Sequence, residues 1–384
     1  MRVSGHWAPR DGYAPTSDEE RRRIARNGAM VWREPRFAVE EVAAPEPGPD
    51  EVVVRVRACG ICGSDVHIHE RDADGYMRYP GMIGLPVVTG HEFAGEVVAA
   101  GERVRGLAVG DPVCAEEIAW CGECVPCRSG RPNSCERLEE LGFTYDGAHA
   151  ELVAVCARYC WPIRRLVERL GEDGGYAAGA LVEPTSVAYI GMFVGSRGFA
   201  PGAAVGVVGA GPIGLAAVGL ARAAGAATVV VFEPAEIRRS LALEVGADAA
   251  FDPRALAADG RTLADAAREA AGGHALDLWV EASGAPGVVE DLTGGLAAGA
   301  DVVLLGRGAH RVSLDPERLI VSGGALVGSI GHSGAGAFGR VIALMAAGRL
   351  DMTRIVTERV DLEGAVARLA ELGDRDSGKV LVCP

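Results

Sequence analysis

A chain of 384 residues is longer than a typical single domain and long enough to bury large cores, so two domains are the starting expectation. Its formal net charge of −14 and pI near 5.1 argue against nucleic acid or an anionic membrane as a main partner, since both demand a basic face. No early segment has the apolar core of a signal peptide, and the longest apolar stretch is broken by glycines, so a cytoplasmic protein without a membrane span is expected.

Residues 1–28 are polar, with Pro9, Pro15 and one candidate helix from Ser17 to Ala25, and read as an arm lying on the surface. The basic run Arg21, Arg22, Arg23 and Arg26 follows Asp18, Glu19 and Glu20, as on a solvated helix face. Residues 29–184 turn to short strands with Pro and Gly punctuation: Ala29 to Trp32, the alternating Glu51 to Ala58, Gly95 to Val98 and Pro112 to Ala115. A β-rich domain is predicted there.

Its loops carry the chemistry. Cys59-Gly60-Ile61-Cys62-Gly63-Ser64-Asp65-Val66-His67-Ile68-His69 follows one strand, and Gly90-His91-Glu92 follows another, Leu85 to Thr89. A thiolate, an imidazole and a carboxylate from separate loops suit a catalytic zinc that keeps one position open, whereas His91 alone would read as a structural histidine. Cys121-x-x-Cys124-x-x-Cys127, with Cys135 after seven residues, predicts a closed four-thiolate site in a loop with little core of its own. Structural zinc is the reading, with an iron–sulfur cluster as its rival. Cys114, Cys156, Cys160 and Cys383 read as buried small hydrophobes. Leu181-Val182-Glu183-Pro184 opens a helix, with Pro184 in its first turn and Glu183 either a ligand or a capping carboxylate.

Residues 185–335 alternate strand and helix. Gly209, Gly211 and Gly214 hold the G-x-G-x-x-G spacing directly after an apolar run ending at Val208, with Pro212 and Ile213 in the opening helix turn. Free N–H groups and the positive helix end there can hold a pyrophosphate. Glu233, nineteen positions past Gly214, ends the returning strand Thr228 to Phe232, where a carboxylate would grip the adenosine ribose and repel a 2′-phosphate. NAD is therefore expected over NADP, despite Arg238 and Arg239 nearby. Strands at Ala249 to Phe251, Asp277 to Ala282, Asp301 to Leu305 and Ala325 to Ile330 complete a doubly wound parallel sheet. Residues 336–384, including the helix Ala337 to Ala347, are expected to return to the first domain.

Taken together these residues resemble the zinc-dependent medium-chain alcohol and polyol dehydrogenases from about residue 30 to the end, and most of all scyllo-inosose and related cyclitol dehydrogenases. Gly60-Ile61-Cys62-Gly63-Ser64-Asp65, Gly90-His91-Glu92, the four-cysteine lobe, Glu183-Pro184 and Gly209-Ala210-Gly211-Pro212-Ile213-Gly214 occur in that family's order. The cyclitol likeness lies in Tyr79-Pro80-Gly81, Cys114-Ala115-Glu116-Glu117, Thr185-Ser186-Val187-Ala188-Tyr189 and Gly331-His332-Ser333-Gly334. The resemblance implies a GroES-like β-rich catalytic domain plus a doubly wound parallel (Rossmann) sheet domain, two zinc ions and NAD. It implies a catalytic zinc on Cys62, His91 and either Glu183, which is favoured, or Glu92. Ser64 would take the substrate proton and pass it through the nicotinamide ribose to His67; His69 is left without a role. Glu117 and His332 are candidate substrate contacts, each with a bland alternative. The expected partner is a small cyclitol or polyol, in a homodimer or homotetramer that could pair through the strand Asp301 to Leu305. A linear-polyol or threonine dehydrogenase is the runner-up, and a non-catalytic NAD-binding zinc protein the rival from another class.

Overall fold

The computed structural model describes residues 1–294, 296–308, 310–374 and 377–384. It forms two compact units, one of Met1–Glu183, Glu358–Arg375 and Val380–Pro384, the other of Pro184–Thr357 and Asp376–Lys379.

The first unit is built on the strand Glu51–Gly60, in which Val52, Val54 and Val56 are buried. It pairs antiparallel with Glu92–Ala100 along one edge, and with Leu152–Cys156 over its first half. Leu381 and Val382, near the end of the chain, pair with Gly60 and Cys59. Val52, Val54, Phe93, Val97, Val113 and Val155 form its core, as the strands' apolar alternation requires.

Residues 1–28 are not the surface arm expected from their polarity. Arg2–Trp7 is a strand that pairs with Trp32–Ala38, and its Arg2 and Val3 also pair with Val88 and Val87. Val3 is fully buried, and the Trp7 and Trp32 rings meet edge to face at 5.1 Å. The polar composition hid this because only one face of so short a strand is covered. The following helix is Ser17–Arg22, shorter than Ser17 to Ala25, because Arg23 turns left-handed (φ 55°) and Ile24–Ala25 pairs with Ile83–Gly84.

In the second unit six strands lie parallel in the order Ala249–Phe251, Thr228–Phe232, Ala204–Val208, Leu278–Glu281, Asp301–Leu304, Ala325–Gly328. This is a doubly wound sheet whose order reverses at Ala204–Val208. Two short helices escaped the sequence reading, Pro253–Ala258 and Pro316–Ser322. Both follow an Asp-Pro pair in which the aspartate, Asp252 or Asp315, caps the helix. Asp301–Leu304 is flanked on both sides by strands, so it offers no free edge to a second subunit; the outer strand is Ala325–Gly328. The helix Ala337–Ala346 also belongs to this unit rather than returning to the first. The segment after it folds back here because Gly219, on the helix Pro212–Ala223, leaves room for Leu350 and Met352. Among the described residues no single helix is long and apolar enough to cross a membrane.

Candidate functional site

The pairing of Glu51–Gly60 with Glu92–Ala100 sets Gly60 opposite Glu92, and this brings two loops side by side. A Cβ at Gly60 would meet the Glu92 carboxylate at 2.1 Å, so glycine there lets that carboxylate keep its place. The stretch after Gly60, read above as a loop, instead continues into the helix Gly63–His69, with Cys62 as its N-cap. The Cys62 carbonyl accepts the Asp65 N–H at 3.1 Å, and Asp65 Oδ2 in return accepts the Cys62 N–H at 2.9 Å. Asp65 is buried, and sequence reading overlooked it; its place three residues after a residue that can accept a hydrogen bond was the available signal.

On the other loop Gly90 has φ +93°, and a Cβ there would lie 2.6 Å from the His149 backbone nitrogen. This turn presents His91, whose ring packs on Phe143 at 4.9 Å. The ligand atoms of Cys62, His91 and Glu92 all lie within 4.8 Å of one another. His91 and Glu92 are 4% and 1% exposed, and His91 Nδ1 is buried without a hydrogen-bond partner. Burial opposes charging of His91, but the adjacent Cys62 thiolate, then Glu117 and Asp65, outweigh it and raise the imidazole well above its usual range. Converging ligand atoms in an excess of negative charge fit a divalent cation.

Glu183 stands in the first turn of the helix Val182–Ile190 and is 6% exposed. Its carboxylate groups with that of Glu117, within 4.8 Å, whereas Glu92 is the carboxylate grouped with Cys62 and His91. The Ser64 hydroxyl is buried and unpartnered. His67 is half exposed at the end of its helix, its Nδ1 3.2 Å from Glu70. His69 shares that last turn, and its ring lies tilted against Phe37 at 5.8 Å.

The cysteine lobe is built on the short helix Val125–Arg128 and the 3₁₀ turn Pro132–Ser134. Its four Sγ atoms lie within 4.8 Å of each other, with Cys121 4.0 Å from Cys127 and Cys124 3.9 Å from Cys135. A tetrahedral zinc with Zn–S bonds near 2.3 Å sets its sulfurs about 3.8 Å apart, so the cage fits. Backbone N–H groups of Glu123 and Cys124 donate to Cys121 Sγ, and those of Cys121 and Arg137 to Cys135 Sγ. The bonds from Glu123 and Cys124 pull the Cys121 thiol down to about 6, favouring the thiolate a metal needs.

In the second unit Gly211 caps the helix Pro212–Ala223, with Ile213 in its first turn. Gly209 has φ +89°, and a Cβ at Gly214 would lie 1.9 Å from the Gly209 carbonyl oxygen. Gly209 and Gly214 have no room for a side chain, and the helix start they shape carries free N–H groups that suit an anion. Glu233, 3% exposed, accepts the N–H of Ala210 at 2.7 Å and of Ala235 at 2.9 Å. Each carboxylate oxygen has a second lone pair, so both remain able to accept a ribose hydroxyl. The Arg238 guanidinium lies 4.0 Å from where a Gly211 Cβ would stand, and its Nε donates to the Ser377 carbonyl. His332, 1% exposed, packs edge to face on Phe338 at 5.4 Å.

Residues 48–165 match the family model described as alcohol dehydrogenase GroES-like domain, and residues 212–347 the one described as zinc-binding dehydrogenase. A scyllo-inosose 3-dehydrogenase from Thermotoga maritima is 43% identical, covering 94% of this chain and 93% of that protein. An L-threonine 3-dehydrogenase from Pyrococcus furiosus is 33% identical, covering 86% and 90%. Among solved structures, a provisionally named alcohol dehydrogenase from Thermotoga maritima superposes with a TM-score of 0.94 at 41% identity, covering 100% of this chain and 99% of that one. A provisionally named zinc-binding dehydrogenase from Sinorhizobium meliloti, bound to NADP, gives 0.78 at 31% identity, covering 94% and 97%.

Proposed function

The chain belongs to the zinc-binding alcohol dehydrogenase family, and we propose that within it the enzyme moves hydride between NAD and a secondary alcohol or ketone of a cyclitol: an inositol, inosose, aminocyclitol or pseudosugar. The observation that carries the reaction type is the convergence of Cys62, His91 and Glu92, with a buried, unpartnered Ser64 hydroxyl two residues after Cys62 in the chain. Cys62, His91 and Glu92 would hold the catalytic zinc, Glu92 being favoured over Glu183 by its place in that group. Cys121, Cys124, Cys127 and Cys135 would hold a second, structural zinc. Bound zinc supplies a Lewis acid that lowers a hydroxyl's pKa, and NAD supplies the hydride acceptor.

The remaining steps fall to this chain's own side chains. Ser64 Oγ would take the proton leaving the substrate hydroxyl, and the half-exposed His67 would hand it to solvent. Glu117 and Glu183 form a carboxylate pair able to accept hydrogen bonds from further ring hydroxyls, which a simple alcohol does not have. His332 would be a further substrate contact. Gly209, Gly211, Pro212, Ile213 and Gly214 would receive the pyrophosphate, with Glu233 and Arg238 at the adenosine ribose. The buried Glu233 carboxylate favours NAD, because a 2′-phosphate would bring a second negative charge against it.

The 43% identity to a scyllo-inosose dehydrogenase, against 33% to the threonine dehydrogenase of Pyrococcus furiosus, supports a cyclitol over threonine. A panel of inositols, inososes, sorbitol and threonine, each with NAD and NADP and followed by cofactor absorbance, tests this. Turnover is expected with a cyclitol and NAD; activity confined to threonine or linear polyols would overturn the substrate class.

A further inference from the structure

The sheet of the second unit reverses its order at Ala204–Val208, which has Thr228–Phe232 on one side and Leu278–Glu281 on the other. With the pyrophosphate at the helix beginning at Pro212 and the adenosine ribose at Glu233, a dinucleotide must lay its other half beyond the end of Leu278–Glu281. The last residue of that strand is a carboxylate, Glu281, only 2% exposed. Its Oε1 accepts the N–H of Ser283 at 2.8 Å, the N–H of Gly284 at 2.9 Å and the Ser283 hydroxyl. Its own carbonyl accepts the N–H groups of Leu305 at 2.8 Å and Gly306 at 2.9 Å.

Glu281 thus ties together the loop 282–285, which closes on the glycine turn, and the loop 305–308, which packs on 282–285. A Cβ on Gly209 would meet the Ser283 nitrogen at 2.8 Å, and one on Gly306 would meet the Gly284 nitrogen at 2.2 Å and Glu281 Oε2 at 2.6 Å. The packing leaves no slack, so where Glu281 holds Ser283 and Gly284 decides the shape of the crevice wall on that side. A buried carboxylate accepting three hydrogen bonds costs desolvation that an apolar residue would avoid, and here its return is a fixed loop conformation.

We propose that Glu281 is a positioning residue for the nicotinamide half of the cofactor; the proposal rests on the dinucleotide reading above. It acts through Ser283 and Gly284 and takes no part in the chemistry. The wild-type enzyme, Glu281→Gln and Glu281→Leu are each titrated calorimetrically with NADH, NADPH and AMP, the last reporting the adenosine half alone. For the dinucleotide the wild type prefers, Glu281→Leu is expected to weaken binding about tenfold, the loss of hydrogen bonds to a charged group, while AMP changes less than about twofold. Glu281→Gln keeps an accepting oxygen at the same place and is expected to recover most of the affinity, which also covers the case in which the leucine variant fails to fold. Parallel weakening of AMP and dinucleotide would show a merely structural role and overturn the proposal, as would unchanged dinucleotide binding in both variants. A wild-type enzyme that binds neither dinucleotide would instead overturn the cofactor reading itself.

Discussion

His91 is held by the left-handed turn at Gly90 on one side and ring packing on Phe143 on the other, so its direction is set before any ion arrives. Cys62 is fixed in the same sense by its reciprocal bonds with Asp65. Replacing Cys62 by serine removes the soft ligand of the proposed zinc, and turnover is expected to fall more than about a hundredfold while NADH still binds, read by steady-state kinetics beside NADH fluorescence. Ser64→Ala, which deletes an unpartnered hydroxyl, is expected to lower turnover about a hundredfold without changing metal content. Unchanged turnover would remove Ser64 from the relay. Away from the site, Glu19 carries a pH dependence. Burial opposes its ionisation, but the Arg26 N–H, the Tyr13 hydroxyl and the Thr16 amide and hydroxyl bring its carboxyl down to about 2. A depressed carboxyl stabilises the fold above its unfolded value of about 4.3 and loses that contribution as pH falls through the folded one. Glu19→Gln is therefore expected to cost about 2 kcal/mol at neutral pH, a gap that closes between about pH 4 and pH 2 in urea titrations.

At the scale of elements, short irregular pieces carry the chemistry and long regular ones aim it. Gly90 joins a buried strand region to His91 with a left-handed φ and no room for a Cβ. Gly90→Ala is expected to destabilise the first unit by more than about 1 kcal/mol and to lower metal occupancy at His91, measured by urea midpoint and metal analysis. The cysteine lobe has no comparable support, since Cys121, Cys124 and Cys127 are all partly exposed and its one helix spans Val125–Arg128. Its order must come from its ligands. Cys124→Ser is expected to lower bound zinc from about two ions to one per chain and to open residues 121–135 to proteolysis. Retention of both ions would mean the lobe is not a metal site.

For the molecule as a whole, the proposed ligands divide between the two units: metal with the first, dinucleotide with the second. In hydrogen exchange, saturating NADH is expected to slow amides around 209–215 and 281–284, and chelation to speed those of 121–135. NADH at a hundred times its dissociation constant adds about 2.7 kcal/mol of protection against unfolding of the unit that binds it. The sequence alone determined whatever depends on near neighbours in the chain. The four-cysteine spacing, the glycine turn with its following helix and the returning strand Thr228–Phe232 were all legible, because their geometry is set within about fifteen to thirty residues. The helical turns 253–258 and 316–322 were legible in principle too, from their Asp-Pro caps. Tertiary structure decided what depends on which strands meet. Arg2–Trp7 became a strand because partners from residues 32–38 and 87–88 cover it. Asp301–Leu304 lost its free edge to Ala325–Gly328. The cross-strand pair Gly60 and Glu92, more than thirty residues apart in the chain, grouped Glu92 rather than Glu183 with Cys62 and His91. Strand register at that distance is fixed by the packing of whole faces, and local sequence does not carry it.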